Sequence, residues 1–319
     1  MVQVSAGSQV LFRLFLLLSL AGSVLNLVPP LNWLHEINAN LGAYYLAVHV
    51  VSLFPGLLLL RAGALRKSLL AALLMTLALW YILAFLPFLQ PPGRTAATGR
   101  FSVLYANVHV SGTDYAALLK VIERENPDVV ALLEPDERWL AELGLSRRYL
   151  YRVEHPREDP FGLALYSRFP VKGPLVDNLG SGLPPLILQR LEVLPGREVT
   201  FGLVHAQPPI DSSAFWSNKY LLRRLATMLR HLPGNFVIAG DFNATPFSFL
   251  YRRFVRWTGL QNSGWGHGLY RSWNARNPLQ RFTVDHIFHR GALGVLSFRR
   301  LEDVGSDHYP FLVEYAVTA

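Results

Sequence analysis

No cysteine occurs among the 319 residues. That excludes disulfides, Cys-ligated zinc, iron–sulfur centres and a thiolate nucleophile, and it leaves the redox compartment open. Charge is also scarce. Only 16% of residues are charged, whereas soluble domains carry about 25%. Hydrophobic residues make up 51%, with a mean hydropathy of +0.25. This balance excludes a disordered chain or a coiled coil and points to membrane segments. Acidic residues are the rarer sign, 22 against 30 Lys and Arg, for a formal net charge of +8. Repeats and low-complexity tracts are absent.

The shortage of charge is concentrated at one end. Residues 1–92 hold Arg13, Arg61, Arg66, Lys67 and Glu36, and no other charged side chain. The rest of the chain carries an ordinary density with a net charge of +5. The spacing therefore predicts an N-terminal membrane region over 1–92, a linker over 93–100 and a globular domain over 101–319. Three apolar stretches, about 10–28, 41–60 and 69–89, each approach the roughly 20 residues a helix needs to cross a bilayer. A signal peptide is the alternative for the first, but the residues before it lack the basic flank such peptides carry. The connection holding Arg61, Arg66 and Lys67 is basic, whereas the one over 29–40 has no Lys or Arg. The positive-inside rule puts the basic loop in the cytoplasm. With three crossings the globular part then lies outside: a multi-pass protein of the cell (inner) membrane with a periplasmic or extracytoplasmic domain. Arg94 and Arg100 weakly oppose that orientation. The boundary near residue 92 also predicts that 93–319 folds without the helices.

From residue 101 the pattern changes. Phe-Ser-Val-Leu-Tyr-Ala-Asn107 reads as a strand, and Asp-Val-Val-Ala-Leu-Leu-Glu134 as a buried strand ending on a carboxylate. Further strands are expected over 162–167, 186–193, 199–205, 235–239, 283–288 and 312–317. Helices are expected over 115–124, capped by Thr113 or Asp114, and over 218–231. Strands and helices mix without strict alternation, which favours packed mixed sheets with outer helices over a simple parallel sheet.

Polar residues recur at the far ends of the apolar strands: Asn107, Glu134, His205, Asp241 with Asn243, Asp285 with His286, and Asp307 with His308. Rigid strand ends and their loops are where catalytic groups commonly sit. An oxygen-rich set without cysteine suits a hard cation, Mg²⁺ or Mn²⁺. His308 lies in a polar loop before Tyr309-Pro310 and fills no expected core position. His286 reads as structural, and His109 as second to the main set or solvated.

These motifs, in this order, resemble the endonuclease/exonuclease/phosphatase superfamily, which is deoxyribonuclease-like, here in a membrane-anchored bacterial form. They are Leu-Tyr-Ala-Asn107, Pro-Asp-Val-Val-Ala-Leu-Leu-Glu134, Phe-Gly162-Leu-Ala-Leu-Tyr-Ser-Arg168, Val-His205, Gly-Asp241-Phe-Asn243, Val-Asp285-His286 and Ser-Asp307-His308. The resemblance covers about 101–317. It implies an α/β four-layer sandwich of two mixed β-sheets flanked by helices, preceded here by about three transmembrane helices. It implies a metal-dependent phosphoesterase. Glu134, Asn107 and Asp307 would stand on the Mg²⁺ (or Mn²⁺) side, and Asp241 and Asn243 would position water. His308 would activate water or bind phosphate, with Asp285 orienting it, and His205 would donate to the phosphate or leaving group; a buried structural histidine is the alternative for His205. The substrate is a phosphodiester or phosphomonoester. Nucleic acid, cut as by an endonuclease, and a phospholipid or sphingomyelin-type head group are the alternatives. A non-catalytic binding module is the contrasting reading. The lipid bilayer is the expected partner of the N-terminal helices, and no protein partner is evident. The basic aromatic stretch 249–257 and the cluster Arg147, Arg148 and Arg152 suit either anionic substrate, or a solvated helix face.

Overall fold

The computed structural model describes residues 6–59, 64–93 and 97–318. Arg61, Arg94 and the middle of the expected linker lie outside the described residues. In chain order the elements are α1 (Ala6–Leu25), α2 (Trp33–Asn40), α3 (Gly42–Leu59), α4 (Ala64–Leu89), β1 (Gly99–Asn107), α5 (Tyr115–Glu125), β2 (Val129–Leu133), α6 (Glu137–Leu143), β3 (Tyr151–His155), β4 (Leu163–Ser167), β5 (Val171–Asn178), β6 (Pro185–Leu194), β7 (Arg197–His205), α7 (Ser212–His231), β8 (Asn235–Asp241), α8 (Phe249–Thr258), β9 (Gln261–Asn262), β10 (Asp285–Arg290), β11 (Leu293–Arg300) and β12 (Phe311–Val317).

Two six-stranded mixed sheets run β11-β12-β1-β2-β4-β3 and β5-β6-β7-β8-β10-β9. Strand alternation sends Phe101, Val103 and Tyr105 of β1 to one face and Leu104 and Ala106 to the other. The first set meets Phe201, Val237 and Ile287 of the second sheet in the central core. The second set packs under Leu118 and Ile122 of α5 and Trp139 of α6. On the far side, Leu221 and Leu225 of α7 and Phe254 of α8 cover Phe236 and Ile238. Helix, sheet, sheet and helix thus stack as expected. Coverage on both faces explains why β2 reads as an unbroken apolar run.

The helices begin where capping chemistry allows. Asp114, not Thr113, caps α5 by accepting from Ala117 N at 3.1 Å. Asp211 caps α7 by accepting from Ala214 N at 2.9 Å. That cap starts α7 six residues before the expected 218. Ser248 caps α8 through the amides of Leu250 and Tyr251, so the basic aromatic stretch is a helix with Leu250, Tyr251 and Phe254 buried.

Of the three crossings expected at 10–28, 41–60 and 69–89, one meets the length and hydropathy required among the described residues: Leu70–Leu89. Three crossings are not supported. The first apolar helix is the shorter Gln9–Leu25, closed by the polar Asn26 and by Pro29-Pro30. The second stretch carries Pro55-Gly56, and its end at Leu60 lies outside the described residues.

The compositional boundary near residue 92 is not a boundary of contacts. Asn40 Oδ1 accepts from Thr245 N at 2.8 Å, and Tyr44 donates to Leu279 O at 2.5 Å. Pro87 and Phe88 carbonyls accept from Gly266 and Gly268 amides at 2.9 and 3.1 Å. Gly42 lies so close to Phe247 that a β-carbon there would fall 2.4 Å from the ring; only a residue without one fits. Phe85 meets Phe247 with centroids 4.9 Å apart. The unexpected helix α2 inserts Glu36, fully buried, against α8, where the Ser248 hydroxyl donates to it.

Candidate active site

The ends of five strands converge on one edge of both sheets. In the first sheet β1 and β2 run parallel, pairing Asn107 with Leu133. Asn107 and Glu134, the residue after Leu133, therefore arrive side by side. In the second sheet the register sets His205 opposite Asp241 in the parallel pair and Asp285 opposite Asp241 in the antiparallel one. The loop before β12 closes over this edge, tied by Ser306 Oγ donating to Asn107 O at 2.8 Å.

Glu134 is held by the turn after β2. Its amide donates to Gly162 O at 2.8 Å, and a side chain at Gly162 would place a β-carbon 2.1 Å from Pro135 O. The motif glycine is thus a requirement of that close approach. Glu134, Asn243 and His109 all adopt positive φ, at 63°, 48° and 61°. Strained backbone of this kind costs on the order of 1–3 kcal/mol per residue and collects at functional sites.

Two groups of side chains face each other. In the first, Glu134 accepts from Asn107 Nδ2 at 2.8 Å and from Val110 N at 3.0 Å. His109 Nδ1 lies 3.6 Å from Glu134 Oε2 and 3.7 Å from Asp307 Oδ1. Asp307 Oδ2 accepts from Trp273 Nε1 at 2.9 Å. Burial would raise the Glu134 carboxyl, but His109, His205, Asn107 and the Val110 amide outweigh it and hold it at about 2. The contact with Glu134 raises His109, against its burial.

In the second group, His308 Nδ1–H donates to Asp285 Oδ2 at 2.6 Å, and Tyr105 donates to Asp285 Oδ1 at 2.5 Å. The Nε2 atoms of His308 and His205 approach Asp241 Oδ2 to 3.9 and 3.7 Å. His205 Nδ1 donates to Pro160 O at 2.7 Å, because a carbonyl can only accept; this turns Nε2 to the carboxylates. Burial pushes His205 down. It would lower His308 too, yet Asp285 and its neighbours hold His308 up to about 10. Burial, then the Asp285 charge, drives Asp241 well above the carboxylate range. Asn243 is fixed through its amide, which donates to Asp241 Oδ1 at 2.8 Å, and through Nδ2, which donates to Ala206 O at 2.8 Å.

All eight residues singled out from the sequence stand on this edge. One position differs from expectation. His308 is not in an open polar loop; it is 6% exposed, because the loop folds inward to meet Asp285. Three further residues join the site: Tyr105, Trp273 and His109. Tyr105 and Trp273 gave no local signal, since each meets an aspartate far away in sequence. His109 gave a weak one, two positions past Asn107. His286 is structural, with Nδ1 against Asn262 Nδ2 at 3.1 Å and Nε2 against Ala244 O at 2.8 Å.

The donor set fits a hard cation. Asp307 Oδ1 is buried and accepts no hydrogen bond among the described residues, and Glu134, across His109 from it, stays ionised. Ligand atoms of Asp241, Asp285 and His308 also lie within 4.8 Å of one another. There, however, a proton already joins Asp285 to His308, so the Glu134–Asp307 side is the better cation seat.

Residues 104–308 match the model of the Endonuclease/Exonuclease/phosphatase family. Among solved structures, the human Nocturnin catalytic domain with bound sulfate anion is 21% identical with a TM-score of 0.56, covering 72% of this chain and 100% of that one. An endonuclease/exonuclease/phosphatase from Beutenbergia cavernae is 21% identical with a TM-score of 0.57, covering 69% and 72%. D. rerio TDP2 complexed with single strand DNA product is 15% identical with a TM-score of 0.56, covering 68% and 99%. No curated protein matches the chain.

Proposed function

The chain belongs to the endonuclease/exonuclease/phosphatase family, and from that premise we propose that it is a membrane-anchored, divalent-cation-dependent phosphoesterase. One observation carries the reading: the His308–Asp285 pair, Asp241, His205 and Glu134 converge on one sheet edge. Glu134 and Asp307, with Asn107 beside them, would hold Mg²⁺ or Mn²⁺. A divalent cation there would neutralise charge on the phosphate and its leaving oxygen.

The remaining work falls to the chain's own groups. Asp241 and Asn243, tied to each other through the Asn243 amide, place the attacking water. His308 keeps its proton through Asp285 and offers Nε2–H to a phosphate oxygen. His205 Nε2 faces the same space and serves the leaving side. Preorganised donors of this kind cost no reorganisation as charge develops.

Membrane attachment rests on α4. Only 22% of the Leu70–Leu89 window is buried, and Met75, Leu79 and Leu83 each expose about half their surface. A lipid environment is the natural cover for such a belt. With α4 crossing and the Arg66-Lys67 end cytoplasmic, the catalytic domain lies outside the cytoplasm, in a bacterial cell in the periplasm. A C-terminal fluorescent protein that matures only in the cytoplasm should stay dark; bright cells would reverse this topology.

Nucleic acid is the second substrate reading, favoured by the single strand DNA product bound to D. rerio TDP2. The basic aromatic helix supports it less than its sequence suggests. Arg253 stacks on Trp257 at 3.8 Å and Arg252 on Trp80 at 5.2 Å. The activity itself is tested with full-length protein in detergent and bis(p-nitrophenyl) phosphate. Turnover should appear with Mg²⁺ or Mn²⁺ and vanish with excess chelator; undiminished turnover in chelator would end the metal-dependent reading.

A further inference from the structure

A cleft of about 420 Å³ opens directly from the catalytic edge, with His308 and Asn243 in its lining. Apart from Asn40, its other walls are largely apolar: Ile37 and Leu41 from the helical region, Ile210 and Phe282 from the catalytic domain. Among the described residues, no lysine or arginine lines it. Resting on the phosphoesterase reading above, we propose that this cleft holds the apolar part of a membrane phospholipid whose phosphoester is the substrate.

Three observations point to a lipid. The first is continuity: one recess joins catalytic side chains to an apolar wall, so whatever is esterified to a phosphate at His308 must meet that wall. The second is the origin of the wall. Ile37 and Leu41 lie next to α3 and are locked to the domain by the Asn40–Thr245 and Tyr44–Leu279 hydrogen bonds. The helical region therefore supplies one wall of the cleft. The third is the rim. Ile210, in the lining, is 65% exposed, and Leu34, one helical turn before Ile37, is 58% exposed. A polynucleotide would need cations and stacking faces for the phosphates next to the scissile one. An alkyl chain needs only the apolar walls.

The reaction balances without a further reactant. The oxygen of water bonds to phosphorus, and the P–O bond to the lipid alcohol breaks. The alcohol leaves with one proton of that water, and the head group keeps the phosphate.

The test uses full-length protein in detergent, with Mg²⁺ or Mn²⁺. It compares kcat/KM on mixed micelles of phosphatidylglycerol or phosphatidylethanolamine with kcat/KM on bis(p-nitrophenyl) phosphate. The wild type should cleave the lipid and release lipid alcohol. Leu41→Asp and, separately, the milder Ile210→Ser at an exposed site should lower the lipid-to-soluble ratio at least tenfold and severalfold. Melting curves identify any variant that has not folded, and Ile210→Ser keeps the test valid if Leu41→Asp fails to fold. Cleavage of the soluble diester and plasmid DNA but not of lipid overturns the proposal. So does an unchanged ratio in the folded variants. Absence of turnover on every substrate would instead remove the phosphoesterase reading, and this proposal with it.

Discussion

The two carboxylate groups that face each other across the active edge solve different electrostatic problems. Asp285 has a proton donor on each oxygen, His308 and Tyr105. Asp307 keeps one buried oxygen with no donor among the described residues, and Glu134, across the partly exposed His109 from it, is anchored by neutral amides and by that histidine. A carboxylate saturated by donors fixes a histidine. A carboxylate with a lone pair to spare waits for a cation. Residue type alone does not separate these roles; the partners do.

The largest effect should come from the cation side. Glu134→Gln should abolish metal-dependent turnover and weaken Mn²⁺ binding, read by calorimetry, while the melting temperature changes little. Unaltered Mn²⁺ affinity would move the cation seat to the opposite group. Next, His308→Ala should cost about 10²–10⁴-fold in kcat and leave Mn²⁺ binding nearly intact. It should also destabilise the protein, because it strips a buried Asp285 of its cationic partner. Asp285→Asn should give a smaller loss of about 10²-fold. If the two act as a unit, the double variant is little worse than His308→Ala alone; multiplicative losses would dissolve the pair.

The smallest effect on activity tests a third kind of buried carboxylate. Glu36 has no histidine and no direct cation, and burial pushes it up to about 7, against the pull of Ser248 and the more distant Arg252 and Lys219. A raised folded pKa means that the folded protein binds the extra proton. Its contribution is fully present below the unfolded value of 4.5 and is lost as pH rises through about 7. The span corresponds to roughly 3 kcal/mol. The melting temperature should fall between pH 5 and 8, and Glu36→Gln should flatten that slope. Equal slopes in both proteins would show that Glu36 does not titrate there.

Much of the catalytic domain is legible in the sequence because both faces of its central strands are covered, so β1, β2, β7 and β8 read as apolar runs ending on polar residues. The edge strands β3 and β5 are not, since their exposed positions dilute the pattern; β3 reads Tyr-Arg-Val-Glu-His. Helix α2 hides because its amphipathic side faces protein rather than water, and eight residues give too little periodicity. The main site residues stand out by position at strand ends. Tyr105 does not: it looks like another core aromatic, and its meaning comes from Asp285, 180 residues away. The first expected crossing, 10–28, ends early at Leu25, because Asn26 and Pro29-Pro30 follow.

The contacts of α2 and α3 with the catalytic domain change what the linker does. Asn40, Gly42 and Tyr44 grip Thr245, Phe247 and Leu279, while the covalent connection joins the two parts elsewhere, through residues 93–98. With Pro87 and Phe88 at the end of α4 also holding Gly266 and Gly268, the domain is fastened to the helices by side-chain and backbone contacts as well as by peptide. Where the domain sits against the helices is fixed by these non-covalent contacts. Inserting residues at 93–98 would lengthen the tether without moving the catalytic edge, whereas loosening the grip would let the domain swing on an intact chain.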